Sequence, residues 1–258
     1  MIKSPVIMIR NQQVNSFYEE LKLVNAYDVD LNNKLKLNAL FNYLQETASN
    51  HADKLKLGFS DLIVQDLGWV LSWAKVEISS FPGFGETIKV KTWPKCRYKL
   101  YSMRDFIVTG EKENILFKVS TAWLMINVKT KRIFDTRSLI QQIYYQEDQE
   151  AVNDLPEKMT IGTEKTNLFV KKIRYTDLDI NQHVNNTKYI ELVLDSFSPE
   201  YHRKHNLQSL TISFNSECFY DDEIEIRSSS IINSENANFI DGINLKTSKQ
   251  VFQAVVQW

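Results

Sequence analysis

Glycine is scarce, with 7 in 258 residues against a usual share of about 7%. Neither G-x-x-x-x-G-K-[ST] nor G-x-G-x-x-G occurs, so the glycine-rich loops that cradle phosphates are missing and nucleotide chemistry is disfavoured. A basic excess is also lacking. With 31 Lys and Arg against 32 Asp and Glu the net charge is −1, whereas a nucleic-acid binder carries surplus cations to displace condensed counterions. No window approaches eighteen apolar residues, which argues against a membrane span. Only Cys96 and Cys218 are present, too few for a disulfide framework; free thiols in a reducing, cytoplasmic compartment are expected. What the chain does have is 43% hydrophobic residues, 12% of the total aromatic, enough for a core and an apolar pocket.

At about 150 residues per domain the length allows one or two domains. A shift of 149 positions aligns Asp28-Val-Asp30-Leu-Asn32 with Asp177-Leu-Asp179-Ile-Asn181. Each copy runs into helical spacing: Leu37, Leu40, Phe41, Leu44 and Ala48 in the first, Tyr189, Ile190, Val193, Leu194 and Phe197 in the second. Gly58 and Pro199 suit the ends of these helices. Period-two segments follow, at 86–93 and 114–128 in the first half and 223–232 in the second, and they predict antiparallel strands. Thr109-Gly110 and Asp241-Gly242 read as hairpin turns. Each half is thus a helix plus a meandering sheet. The polar stretch 141–169, broken at Pro156, reads as the connection, with the halves at 1–155 and 156–258.

Asp177-x-Asp179-x-Asn181 opens like a calcium loop, but its sixth position is Gln182 and its twelfth Lys188, where such a loop needs Gly and a bidentate Glu. No metal or resident cofactor is expected. Asx residues before a helix also satisfy orphan amide donors, and Asp30 and Asn32 persist in the first copy. The copies differ elsewhere: Lys34 stands where the second has His183, and Lys36-Leu37 where it has Asn185-Asn186. One reaction centre, in the second half, is expected. His202-x-x-His205 lacks a carboxylate cluster and reads as a solvated helix end.

The block Asp179, Asn181, His183, Val184, Asn185, Asn186, followed by Glu217-Cys218, resembles the acyl-acyl carrier protein thioesterases. Leu44-Gln45-Glu46-Thr47-Ala48, Asn50-His51-Ala52, Arg104-Asp105-Phe106 and Ser120-Thr121-Ala122-Trp123 agree with the same family, so the likeness covers about residues 17–258. It implies an α+β fold of two tandem hotdog domains, each a long helix wrapped by an antiparallel sheet. It also implies hydrolysis of the thioester joining a fatty acyl chain to the phosphopantetheine arm of acyl carrier protein, with catalytic residues in the second domain and the acyl pocket shaped by the first. No transit-type leader opens the sequence, so a bacterial member is expected.

The site residues so implied are Asp179, Asn181, His183, Glu217 and Cys218. Two routes stay open: water attack, with His183 as acid-base group, Asp179 and Glu217 orienting and Asn181 polarising the carbonyl; or attack by Cys218 activated by His183. The partner expected is acidic acyl carrier protein, docking on Lys129-Lys131-Arg132 or on Lys171-Lys172-Arg174. A 3-hydroxyacyl dehydratase and a non-catalytic acyl-thioester binding module are the alternatives, and a monomer and a homodimer both remain open.

Overall fold

The computed structural model describes residues 16–138, 145–146, 148–156, 164–231 and 234–258. The first half runs β1 (Tyr18–Leu23), α1 (Leu37–Lys54), α2 (Phe59–Ile63), β2 (Leu67–Ile78), β3 (Thr87–Tyr98), β4 (Tyr101–Thr109) and β5 (Ile115–Asn127). The second runs β6 (Thr166–Lys172), α3 (Asn186–Asp195), α4 (Pro199–Lys204), β7 (Ser209–Phe214), β8 (Glu223–Ile231), β9 (Ser234–Asn244) and β10 (Gln250–Gln257). All ten strands form one antiparallel sheet in the order β1-β3-β4-β5-β2-β7-β10-β9-β8-β6.

That order is a palindrome. Replacing each second-half strand by its counterpart in the first gives 1-3-4-5-2 followed by 2-5-4-3-1, so the duplication read from the sequence is built as two similar sheets sharing a seam. The seam is β2 against β7, from Trp73 opposite Ser213 to Glu77 opposite Ser209. This is the α+β, tandem hotdog architecture.

In α1 the residues at three- and four-residue spacing, Leu37, Leu40, Phe41, Leu44 and Ala48, are all buried; the helix forms on this sheet because only that face is apolar. In α3, Tyr189, Ile190 and Val193 are buried likewise. The two helices pack against each other, and Asn38 Nδ2 donates to Glu191 Oε1 at 2.7 Å. One continuous core takes Leu40, Val76 and Phe117 from the first half and Ile190, Val193 and Phe252 from the second.

Several local expectations need correction. Gly58 does not end α1, which stops at Lys54; it is the N-cap of α2. Pro199 opens α4, where Ser198 Oγ accepts from Tyr201 N, because proline lacks the N–H that a first helical turn does not need. Asp241-Gly242 is no turn but lies inside β9. There Asp241 is fully buried and paired with Arg227 at 2.8 Å and Lys165 at 2.6 Å. A Cβ on Gly242 would sit 2.3 Å from Phe252 Cε1, so the glycine serves a close approach between strands. The connection ends before Phe169, since β6 begins at Thr166; residues 141–144, 147 and 157–163 of that stretch lie outside the described residues. Part of it is tied down: Asp105 Oδ2 accepts from Ala151 N and Lys95 Nζ donates to Val152 O, each at 2.7 Å.

Candidate active site

The duplicated motif folds twice into the same turn. In the first copy Asp30 Oδ1 accepts the backbone N–H of Asn32 at 2.8 Å and of Lys34 at 2.9 Å. In the second, Asp179 Oδ1 accepts those of Asn181 at 2.8 Å and His183 at 3.3 Å. Backbone bonds run from Asp30 N to Lys34 O and from Asp179 N to His183 O, each at 2.8 Å. Asn33 and Gln182 both take positive φ, 56° and 64°. The aspartates therefore shape the corner by satisfying amides that no regular element reaches.

The corner then presents a different side chain in each half. Lys34 lies over the ring of Phe81, 5.7 Å from its centroid. His183, its counterpart, points Nδ1 at Glu217 Oε1, 3.5 Å away, and meets Phe219 edge-on at 5.1 Å. Its side chain keeps 22% of its surface exposed, open to a substrate yet held on two sides. Asn185 caps α3, its Oδ1 accepting from Thr187 N at 2.9 Å, whereas Lys36 provides no such bond to α1. Part of the Asn185-Asn186 difference is thus helix capping. Asn181 is exposed on the same turn as His183.

Glu217 and Cys218 lie in the loop after β7. Val184 N donates to Cys218 O at 3.0 Å, which brings this loop against the His183 turn. Successive side chains then diverge. Glu217 reaches outward to His183, and the same Oε1 accepts from Lys131 Nζ at 3.0 Å. Cys218 is fully buried, its Sγ accepting from Asn244 Nδ2 at 3.4 Å. Burial pushes its thiol above the ordinary range, against the opposing hydrogen bond from Asn244. A thiolate is the nucleophilic form, so this environment works against activation. Asp179, Asn181 and His183 share one turn at the surface, where His183 meets Glu217; Cys218 faces the interior.

By sequence Lys131 reads as part of a docking cluster; its pairing with Glu217 across the two halves carries no local signal. The basic clusters are largely matched by carboxylates: Lys129 by Asp66 at 2.9 Å, Lys171 by Asp177 at 3.1 Å, and Lys172 by Asp221 at 3.0 Å. His202 and His205 are not simply solvated. His202 Nε2 lies 3.0 Å from Leu194 O and its ring meets Trp258 edge-on, while His205 stacks on Tyr201 at 3.9 Å.

A cavity of about 200 Å³ opens in the first half between α1, α2 and the sheet, lined by Leu55, Leu62, Trp69, Met103 and Trp123 among others. Trp69 points into it, whereas Trp73, Leu44 and Phe41 belong to the packed core. Among the described residues no helix is long and apolar enough to cross a membrane.

Two family models match, the acyl-ACP thioesterase N-terminal domain over residues 15–144 and the acyl-ACP thioesterase C-terminal domain over 162–258. A chloroplastic palmitoyl-acyl carrier protein thioesterase of Cuphea hookeriana is 32% identical over 212 residues, 76% of this chain and 50% of the relative. A chloroplastic oleoyl-acyl carrier protein thioesterase of Arabidopsis thaliana is 28% identical over 257 residues, 90% of this chain and 68% of the relative. The chain spans about half the length of the first curated relatives it matches. Among solved structures, an acyl-ACP thioesterase from Bacteroides thetaiotaomicron superposes with a TM-score of 0.85 at 25% identity, covering 94% of this chain and 98% of that one. The 12:0-ACP thioesterase from Umbellularia californica gives 0.77 at 23% identity, covering 94% and 96%.

Proposed function

Since the chain belongs to the acyl-ACP thioesterase family, we propose that it hydrolyses fatty acyl thioesters of acyl carrier protein and releases free fatty acid. The reading rests above all on the pairing of His183 with Glu217 at 3.5 Å, on a corner whose twin carries Lys34 instead.

A thiolate is a competent leaving group near neutral pH, an ordinary thiol having a pKa of about 8.5. The enzyme chiefly has to activate water and stabilise the oxyanion. Water attacks the acyl carbonyl while His183 takes its proton, with Glu217 fixing the ring and stabilising the imidazolium that forms. Asn181, exposed beside His183, polarises the carbonyl. Asp179 holds the turn through two backbone amides. The tetrahedral intermediate then collapses: the C–S bond breaks, and the pantetheine sulfur leaves with the proton from His183. Cys218 serves packing, in keeping with its burial and raised thiol pKa. The chain needs no cofactor of its own, because the phosphopantetheine arm arrives with the substrate.

The acyl chain occupies the first-half cavity. Carrier protein docks on the turn that carries Lys131 to Glu217, where Arg132 is exposed; a steep loss of affinity with salt that Arg132→Glu abolishes would support this dock, and an unchanged salt slope would dismiss it. Two free cysteines fit a reducing compartment such as the cytoplasm. One chain supplies both halves, so activity as a monomer is expected. The test of the function is thiol release from acyl carrier protein and coenzyme A thioesters of graded length. Turnover that His183→Ala abolishes while the melting curve is kept is expected; no release at any length would leave binding without catalysis as the better account.

A further inference from the structure

A second hollow, a groove of about 660 Å³, lies at the first-half copy of the duplicated turn, between that turn and the end of α3. Its wall takes Asp30, Asn32 and Lys34 from the first half and Leu194, Phe197 and Trp258 from the second. Small-molecule sites have this size, roughly 300–1,000 Å³. The offset of 149 positions carries Leu194 and Phe197 onto Gln45 and Ala48, two residues that line the first-half cavity. The groove is therefore the counterpart of that cavity, kept beside the corner that has a lysine in place of the imidazole.

Two donors on this wall lack acceptors. Lys34 is half-buried, its ammonium lies over the Phe81 ring, and among the described residues it has no ion pair. Trp258 keeps only 7% of its surface exposed, and its buried indole N–H has no acceptor among the described residues. Packing fixes that ring, which stands edge-on to Phe197 at 4.9 Å and to Tyr201 at 5.0 Å. Ile78 N donates to Gln208 O and Gln208 N to Gln257 O, each at 2.8 Å. These bonds tie the strand that leads to Phe81 to the end of β10, so Lys34 and Trp258 border one space from opposite halves. The carboxylates on the wall are engaged elsewhere or wet. Asp30 Oδ1 holds the amides of its turn, and Glu191 accepts from Asn38 and Lys188. Asp195 is exposed, where water weakens its field.

A buried donor left without an acceptor is costly. A lysine ammonium has three donors and no acceptor, so Lys34 can pair with a carboxylate but cannot take a proton from water. A carboxylate also brings two oxygens, enough for more than one donor. Leu194, Phe197 and Leu207 add an apolar bed for a chain. A thioester carries no charge to meet Lys34, whereas a free acid does.

We infer that the groove is a second, non-hydrolytic lipid site, which binds an unbranched fatty acid with its carboxylate on Lys34 and its chain along Leu194, Phe197 and Leu207. The site goes beyond the hydrolase reading and does not depend on it. The test is photolabelling of the full chain with palmitic acid that carries a diazirine at its tail, followed by peptide mapping; it needs no turnover. Label is expected on peptides that carry Phe197 or Leu207. Excess palmitic acid should clear it and methyl palmitate should not, because the ester has lost the charge. Lys34→Met should lower this label about tenfold or more, the scale of a hydrogen bond to a charged group. No label on these peptides in the wild type, equal displacement by acid and ester, or full labelling of Lys34→Met overturns the inference. If Lys34→Met does not fold, the comparison of acid with ester on the wild type decides by itself.

Discussion

Removing the carboxylate from each copy of the duplicated turn separates folding from chemistry. Asp30 Oδ1 and Asp179 Oδ1 each accept two backbone amides, at 2.8 and 2.9 Å in the first copy and 2.8 and 3.3 Å in the second. At about 1 kcal/mol net per bond, alanine at either position should cost about 2 kcal/mol. For a chain of this size that is a fall in Tm of roughly 4–8 °C. Asp30→Ala should be slightly worse, since its second bond is the shorter. Turnover should divide the two: Asp30→Ala keeps kcat within about threefold, while Asp179→Ala lowers it tenfold or more, because the released amide belongs to His183 and one misplaced imidazole forfeits its near-attack geometry. Asparagine retains an acceptor oxygen and should recover most of the stability at both sites. Thermal melts and a thiol-release assay on the four variants decide the matter. An unchanged Tm for Asp179→Ala refutes the turn role, and equal loss of turnover from both alanines refutes the division of labour between halves.

Cys218→Ala should leave turnover within about threefold; a folded but inactive variant with a trapped acyl-enzyme in the wild type would restore the covalent route. Burial pushes the Glu20 carboxyl up, but hydrogen bonds with Lys22, Tyr18, Asn50 and Thr47 outweigh it and hold the pKa at about 2, below the reference 4.5. Its stabilisation is therefore present above about pH 4.5 and lost as the pH falls toward 2; Glu20→Gln should lower the urea midpoint at pH 6 yet flatten its decline to pH 3, and an unaltered decline would contradict the linkage. Gly242→Ala should destabilise by about 1–3 kcal/mol through overpacking, with partial recovery when Phe252, 2.3 Å from the new Cβ, becomes Leu; no recovery would mean that the clash is not with that ring.

The duplication was legible because identical residues recur at a fixed offset, and a palindromic strand order follows from two like sheets sharing one seam. The helix faces were legible because α1 buries one stripe, read directly from spacing. Asp241-Gly242 was misread because turn chemistry is a dipeptide property, whereas the ring of Phe252 comes from a neighbouring strand. The same limit applied at the site. His183 stood out by its contrast with Lys34, but its place beside Glu217 depends on the Val184–Cys218 backbone bond, and Lys131 arrives from 86 residues away.

Fusion of the two halves through β2 and β7 has an evolutionary consequence. In a pair of identical subunits every mutation appears twice, so a residue needed in one chamber is imposed on both, and neither half can specialise. Here Trp69, Met103 and Trp123 are encoded separately from His183. Selection, or an engineer, can reshape the first-half cavity one codon at a time while the His183 corner is inherited intact.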